Sequence, residues 1–208
     1  MIIWGSSLSP FVRKTIVFAE EKGLDFEVQM SGSDEFKAAS PFGKMPGFRD
    51  GDFTLSDSTA IVTYLDAIRP EPNLIPLEPR ARARTIWYEE FGDTMVAACG
   101  STIFVNRIVA PRFFKRDGDL AAADEAQKTE FPKLIDYLES VIPASGYLVE
   151  DRFTLADIAV VSPLITMSHA DCVVSDGSHP KSAAYVAAIS ARPSFAKLIA
   201  REKAMLAA

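Results

Sequence analysis

Ser9 is the first residue whose type and position suit chemistry, because it stands directly before a proline in the segment SPFVRK at 9–14. Serine is a favoured N-cap and proline suits the first helical turn, so a helix is predicted from Ser9-Pro10 to a stop near Gly23. A capping hydroxyl accepts a hydrogen bond from a backbone N–H and still has its own proton to donate. A thiolate beside Ser9 would receive that hydrogen bond and the partial positive charge of the helix N-terminus. Helix capping alone is the simpler and more frequent role of such a serine.

The activation of a thiol at this position would require a moderate energy. Lowering a thiol pKa from ~8.5 to ~6.5 takes about 2.7 kcal/mol, within the range of a charge-assisted hydrogen bond plus a helix dipole. Ser9 has no evident base of its own, because His169 and His179 both lie in the second half of the chain. The sequence also lacks the Gly-x-Ser-x-Gly motif of a nucleophilic serine. Ser9 is therefore expected to stabilise the nucleophile of a ligand.

Two further segments carry groups suited to binding a small peptide-like molecule. In GKMPGF at 43–48, Lys44 offers a cation for a carboxylate, and a cis Met45–Pro46 bond would leave the preceding backbone free to pair with a ligand. In LSDSTAI at 55–61, Asp57 suits an ammonium group, while Ser58 and the helix start suit a carboxylate. Each segment also has a purely structural explanation: the first would contain an ordinary edge-strand proline, and the second an ordinary helix N-cap.

The elements that must position these residues alternate in type over the first 70 residues. Strands are predicted at 1–4 and 26–30, helices at 10–23, 34–39 and 58–68, and a hairpin turn at Asp50-Gly51. This order indicates a mixed sheet with helices packed on it. Residues 69–80 hold four of the thirteen prolines and are predicted to link two domains.

The second half of the chain is predicted to be all-helical, with no convincing strand. Helices are expected at 82–109, where Pro111 would bar continuation, at 120–140, from Thr154, and after Pro193. In RFTLADIAV at 152–160, Thr154 and Asp157 form a capping box, with Phe153 and Ile158 as a hydrophobic staple. Replacing Asp157 by Ala is expected to cost ~1 kcal/mol and to leave ligand binding unchanged.

Composition excludes several classes of function. Hydrophobic residues make up 48% and charged residues 24% of the 208 residues, which excludes a disordered chain. The net charge of −6 disfavours nucleic-acid binding. The short apolar runs predict no membrane span, the N-terminus does not resemble a signal peptide, and two cysteines fit a reducing cytoplasm. The two histidines have no cysteine at ligand spacing, so no metal site is expected.

Taken together, these segments resemble the cytosolic glutathione transferase superfamily, in a serine-type, bacterial-like form whose class is unresolved. The resemblance extends over essentially the whole chain and rests on SPFVRK at 9–14, SPFGKMPGF at 40–48, DSTAIVTYL at 57–65 and RFTLADIAV at 152–160. It implies an α/β thioredoxin-like N-terminal domain over residues 1–72, which binds glutathione. It also implies an all-α helical-bundle C-terminal domain over 80–208, which covers the second substrate.

The resemblance implies a role for each candidate residue. Ser9 matches the serine that activates the glutathione thiol, and Lys44 matches a binder of the glycyl end. Met45 matches the residue that pairs with the cysteinyl backbone before a cis-Pro46. Asp57 and Ser58 match the acid and serine that bind the γ-glutamyl group, although many members carry Glu in place of Asp57.

Some alternatives stay open within this resemblance. Ser6 and Ser7 lie in the same loop as Ser9, with Ser6 the second choice for the thiol contact. No cysteine occurs in residues 1–98, which disfavours the branches that carry CPF in place of SPF. Cys99 and Cys172 are expected to be inert core residues. Aromatic and Met side chains of the second half, taken as core, are also possible walls of the second-substrate pocket: Tyr88, Phe91, Met95, Phe104 and Phe113.

The expected function is that of a cytoplasmic, homodimeric detoxification enzyme. Glutathione is the co-substrate, and its thiolate attacks a small hydrophobic electrophile, with no metal, nucleic acid or membrane involved. Two alternatives are a non-catalytic glutathione-binding or interaction module on the same fold, and a glutathione-dependent thiol oxidoreductase. The acceptor substrate depends on pocket shape, which motif spacing does not provide.

Overall fold

The computed structural model describes residues 1–207 and divides into two compact units. The first unit contains Met1–Pro76 and the chain from Pro193 onward, and the second contains Leu77–Arg192. The predicted domain limits, 1–72 and 80–208, stay a prediction. The last helix nevertheless packs in the first unit.

The first unit has a four-stranded mixed sheet with the strand order β2-β1-β3-β4. Strand β1 pairs parallel to β2 and antiparallel to β3, and β3 pairs antiparallel to β4. The strands are β1 Ile2–Trp4, β2 Glu27–Gln29, β3 Gly47–Asp50 and β4 Phe53–Ser56. Helices α1 Pro10–Glu21, α2 Asp34–Ala39 and α3 Ser58–Ile68 alternate with them. The sequence prediction of this order is confirmed.

The turn between β3 and β4 differs in one detail from its prediction. Gly51 has a φ of +60° and supplies the left-handed conformation that the turn needs. Asp50 does not share this conformation, because it remains in β3 and pairs with Phe53. The prediction of a turn built on positive φ angles at both positions is therefore wrong for Asp50.

The last helix, α9 Pro193–Ala207, packs against α1 in the first unit. Arg13 of α1 and Glu202 of α9 are both fully buried, and their side chains form two hydrogen bonds of 3.1 and 2.8 Å. Ser194 also donates to the carboxylate of Glu21 at 2.6 Å. The contact between Arg13 and Glu202 joins residues 189 positions apart in the chain.

The second unit is built from five helices, and no named strand occurs in its described residues. The five helices are α4 Pro79–Phe113, α5 Leu120–Thr129, α6 Phe131–Val141, α7 Leu155–Ser168 and α8 Pro180–Ser190. Helix α7 is buried over almost its whole length and packs against α4. Gly92 permits this approach, because a Cβ there would lie 2.6 Å from the carbonyl oxygen of Ala159. The predicted all-helical second half is confirmed.

Helix α4 continues past Pro111, contrary to its predicted end. Two π-helical segments, Phe91–Val96 and Val105–Val109, interrupt its α-helical geometry. The second lies directly before Pro111, where a wider turn accommodates a ring that would otherwise clash with the preceding turn. Pro79–Phe113 is long and apolar enough to cross a membrane by length and composition alone, but core helices share this property, so the prediction of no membrane span stays a prediction.

Two other helix predictions require correction. The helix predicted over 120–140 is two helices, α5 and α6, which meet at Glu130. Pro132 explains the break, because it has no N–H to bond a carbonyl of the preceding turn. The sequence pattern does not predict helix α8, since its segment KSAAYVAAIS consists mainly of small residues without a clear apolar stripe.

The start of α7 is held by Asp157, which is fully buried. Its carboxylate accepts from the backbone N–H groups of Thr154 and Leu148 at 2.9 and 3.0 Å. The hydroxyls of Thr154 and Tyr185 donate to it at 3.3 and 3.1 Å. Burial raises the pKa of Asp157 to about 6, although these hydrogen bonds lower it. The predicted capping residue therefore serves a larger network.

Candidate functional site

The sheet register brings three predicted segments to one end of the first unit. Trp4, at the end of β1, is paired with Gly47, and Gly47 is paired with Ser56 at the end of β4. Adjacent strands lie about 4.8 Å apart, so the chain leaves or enters these strands at neighbouring points. The loop containing Ser9 follows β1, Met45-Pro46 precedes β3, and Asp57-Ser58 follows β4.

Ser9 occupies the N-cap position of α1 with Pro10 in the first turn, as predicted. Its side chain makes no capping hydrogen bond, so the prediction that its hydroxyl caps the helix is wrong. Its backbone supplies the local contacts: the Ser9 N–H donates to Ser6 at 3.0 Å, and its carbonyl accepts from Arg13 at 3.0 Å. The hydroxyl therefore lies at a helix N-terminus without being used by it.

Ser6, the second choice for the thiol contact, differs in this respect. Its hydroxyl oxygen accepts a hydrogen bond from the backbone N–H of Leu8 at 3.4 Å. The two serines thus have different local functions, which makes Ser6 a matched comparison for Ser9.

The segment before β3 is fixed by a buried serine. Ser40 is 1% exposed, and its hydroxyl donates to the carbonyl oxygen of Lys44 at 2.7 Å. Lys44 and Met45 are exposed, whereas Pro46 is buried, and the Met45–Pro46 peptide bond is cis. The cis Met45–Pro46 bond, on which the predicted backbone pairing with a ligand depends, is therefore present.

Gly5, in the loop that contains Ser9, packs closely against this segment and against α1. It has a φ of +137°, and a Cβ built there would lie 2.6 Å from Cγ2 of Val12 and 3.3 Å from Cβ of Met45. A side chain at position 5 would therefore push α1 and Met45 apart. The sequence motifs do not predict a role for Gly5 or Ser40; the available signal for Gly5 is a glycine directly after a strand.

Asp57 begins α3 in an unusual backbone conformation. Its φ is +85°, and its carboxylate accepts from the N–H of Ala60 at 3.0 Å. Non-glycine residues seldom adopt positive φ, and such strain costs about 1–3 kcal/mol and concentrates at ligand sites. The Asp57 side chain remains exposed, and Ser58 behind it is 4% exposed.

The two cysteines lie in the second unit and are unsuited to nucleophilic chemistry. Both are buried, and burial raises the pKa of Cys99 to about 11 and that of Cys172 to about 12. Their predicted inertness agrees with these values. Among residues 1–207, no cluster of three His, Cys, Asp or Glu side chains could hold a metal ion.

The side chains considered as walls of a second-substrate pocket divide into two groups. Tyr88, Phe91 and Phe104 are buried core residues, as predicted. Met95 and Phe113 are 51% and 47% exposed, so the core prediction is wrong for these two.

Comparison with known proteins identifies the family. The model of the glutathione S-transferase N-terminal domain matches residues 4–73, and that of the C-terminal domain matches residues 105–202. The chain belongs to the glutathione S-transferase family. Its thioredoxin-like sheet followed by helices is the family fold, and the chain is a glutathione transferase with glutathione as co-substrate.

Relatives of this transferase extend over nearly its full length. A glutathione S-transferase of Hyoscyamus muticus is 30% identical and covers 96% of this chain and 97% of its own. Glutathione S-transferase 3 of Zea mays is 29% identical over 95% of this chain and 92% of its own. A solved glutathione S-transferase of Rhodospirillum rubrum is 25% identical, with a TM-score of 0.86, and covers 95% of this chain and 90% of its own.

Proposed function

We propose that glutathione binds at the end of the sheet where the three segments meet, with its sulfur beside Ser9. The Ser9 hydroxyl donates a hydrogen bond to the sulfur, which stabilises the thiolate. The observation that carries this proposal is the hydroxyl at the N-cap of the twelve-residue helix α1, which makes no capping bond of its own. The positive end of the helix dipole favours the same anion.

The remaining contacts match the charges along glutathione. The Lys44 ammonium binds the glycyl carboxylate, and the backbone of Met45 pairs with the cysteinyl residue next to Pro46. Asp57 binds the γ-glutamyl ammonium, while Ser58 and the start of α3 bind the γ-glutamyl carboxylate. The exposed Asp57 carboxylate and the positive φ that presents it support this assignment.

The proposed reaction is nucleophilic transfer of glutathione to a small hydrophobic electrophile. The thiolate sulfur forms a bond to an electrophilic carbon, and the bond to the leaving group breaks with its electron pair. The protein contributes the lowered thiol pKa and the proximity of the two reactants. We propose a cytoplasmic homodimer that works in detoxification, with no metal, nucleic acid or membrane partner.

The two alternative functions differ from this proposal in their chemistry. A thiol oxidoreductase would need a reactive cysteine, and residues 1–98 contain none. A passive glutathione-binding module would leave the bound thiol at its ordinary pKa. The ionisation of bound glutathione therefore separates the passive module from the transferase.

The decisive experiment is a pH titration of bound glutathione, followed by the ultraviolet absorbance of the thiolate. In the native protein we expect a thiol pKa about two units below that of free glutathione. Ser9→Ala should return the pKa toward its free value, with a small change in glutathione affinity. Ser6→Ala is the matched control and should leave the depressed pKa in place.

Two results would overturn parts of this proposal. An ordinary thiol pKa in the native protein would favour the passive module. A pKa that returns to its free value in Ser6→Ala but not in Ser9→Ala would assign the thiol contact to Ser6.

A further inference from the structure

A serine, a histidine and an aspartate form a chain of hydrogen bonds in the second unit. Nδ1 of His179 lies 2.8 Å from the hydroxyl oxygen of Ser178, and Nε2 lies 2.8 Å from a carboxylate oxygen of Asp136. His179 is the N-cap residue of α8, and Asp136 lies on α6, so the chain of bonds joins two helices. We call these three residues the Ser178 triad; none of them belongs to the proposed glutathione site.

The Asp136 carboxylate determines which nitrogen of His179 carries the proton in the neutral ring. An ionised carboxylate only accepts hydrogen bonds, so Nε2 carries the proton that is donated to Asp136. Nδ1 then keeps its lone pair and accepts from the Ser178 hydroxyl. The Ser178 triad thus places a hydroxyl nucleophile, a general base and a group that orients the base in the order that nucleophilic catalysis requires, an arrangement that recurs on unrelated folds.

The surroundings of Ser178 leave its hydroxyl accessible. Ser178 is exposed, whereas the His179 side chain is only 17% exposed. The N–H of His179 donates to the carbonyl oxygen of Ser175 at 2.9 Å, which closes the turn that contains Ser178. The N–H groups of Gly177 and Ser178 form no hydrogen bond within residues 1–207, so both are available to an oxyanion that develops beside Ser178.

We propose that Ser178 is the nucleophile of a second activity, the glutathione-independent hydrolysis of small activated carboxylic esters. The Ser178 oxygen forms a bond to the carbonyl carbon of the ester, while its proton passes to Nδ1 of His179. The bond to the leaving alcohol breaks with its electron pair, and the proton on His179 passes to that alcohol oxygen. Water repeats the sequence on the acyl-serine and releases the carboxylic acid. Because Ser178 lies on an exposed turn, the reactivity of the ester selects the substrate.

The probe for the test is p-nitrophenyl acetate, used without glutathione so that no glutathione thiolate contributes. We expect p-nitrophenolate release above the rate in buffer, and mass spectrometry should find an acetyl group on Ser178. Ser178→Ala should abolish both signals. Ser175→Ala, which changes an exposed serine at the start of the same turn, is the matched control and should change neither. His179→Asn keeps a favoured N-cap but removes the base, so acetylation should slow about 10²-fold.

Asp136 acts through His179, so its positioning role is tested by a signal from the ring itself. Asp136→Asn introduces an amide that can donate to Nε2, which should move the ring proton to Nδ1 and slow acetylation. Nitrogen NMR of His179 should show this change of tautomer, whereas Asp136→Glu should keep the native form.

Three results would overturn the proposal. One is a native rate of ester hydrolysis in Ser178→Ala. Another is an acetyl group found on lysines but not on Ser178, in which case the Ser178 triad only joins α6 to α8. The third is a native His179 ring with its proton on Nδ1.

Discussion

Asp157 offers the sharpest test of how this structure is held together. Asp157→Ala removes a buried carboxylate that accepts four hydrogen bonds, two of them from the backbone N–H groups of Leu148 and Thr154. A buried N–H left without a partner costs about 1–3 kcal/mol, so two of them cost about 4 kcal/mol in total. This exceeds the ~1 kcal/mol expected for a capping residue alone. Asp119→Ala, at the exposed N-cap of α5, serves as the control and should cost only about 1 kcal/mol.

The same penalty should depend on pH, because burial raises the pKa of Asp157 from 3.8 to about 6. A folded-state pKa above the unfolded value means that the folded protein binds the proton more tightly. The resulting stabilisation is complete below pH 3.8 and is lost as the pH rises through about 6. Between pH 7 and pH 5 the native protein therefore gains about 1.4 kcal/mol that Asp157→Ala cannot gain.

The assay is urea unfolding of both variants and the native protein at pH 7 and pH 5, followed by circular dichroism. The stability difference between native protein and Asp157→Ala should be larger at pH 5, while glutathione affinity stays unchanged because Asp157 belongs to the second unit. A penalty near 1 kcal/mol at pH 7 would refute the network argument. An equal penalty at both pH values would refute the assigned ionisation.

Three further predictions concern other sites. Glu202→Ala removes the carboxylate that forms an ion pair with the buried Arg13 and should cost about 3–5 kcal/mol in urea unfolding. Recovery is expected when Arg13→Met is added, and a lone Glu202→Ala as stable as the native protein would contradict this. Asp57→Asn retains a good N-cap but loses the charge for the γ-glutamyl ammonium, so calorimetry should find about tenfold weaker glutathione binding at unchanged stability. Cys99 and Cys172 should not react with a disulfide reagent at pH 8 unless urea is added, because burial raises both thiol pKa values far above 8. Rapid labelling of the folded protein would contradict this, since it would show that these cysteines are accessible.

Local sequence patterns predicted most of the first unit because its elements end at residues with strong conformational preferences. Ser9-Pro10 marks the start of α1, and Gly51 marks the turn between β3 and β4. In the second unit local patterns do not predict the helix limits, because proline has two roles there. Pro111 continues a helix behind a wide π turn, whereas Pro132 begins a new one.

The features that were not predicted, in the core of the first unit and at the site, depend on residues distant in the chain or on backbone geometry. The contact between Arg13 and Glu202 spans 189 positions, and no local pattern indicates it. Asp57 adopts its positive φ directly after Ser56, which the sheet register pairs with Gly47, and no local pattern indicates this conformation. Residue type identified the candidates at the site, whereas pairing across the sheet was needed to describe their arrangement.

The return of the C-terminal helix to the first unit affects how the protein is made. During synthesis the chain emerges from its N-terminus, so Arg13 is exposed to the ribosome surface long before Glu202 has been translated. Helix α1 can acquire its buried ionic partner only after the second unit has been synthesised. A nascent chain that ends at Pro76 therefore lacks part of its own core, and the glutathione site should mature only after α9 has emerged from the ribosome. Affinity for immobilised glutathione, measured on ribosome-stalled chains of increasing length, should appear only once α9 has left the exit tunnel.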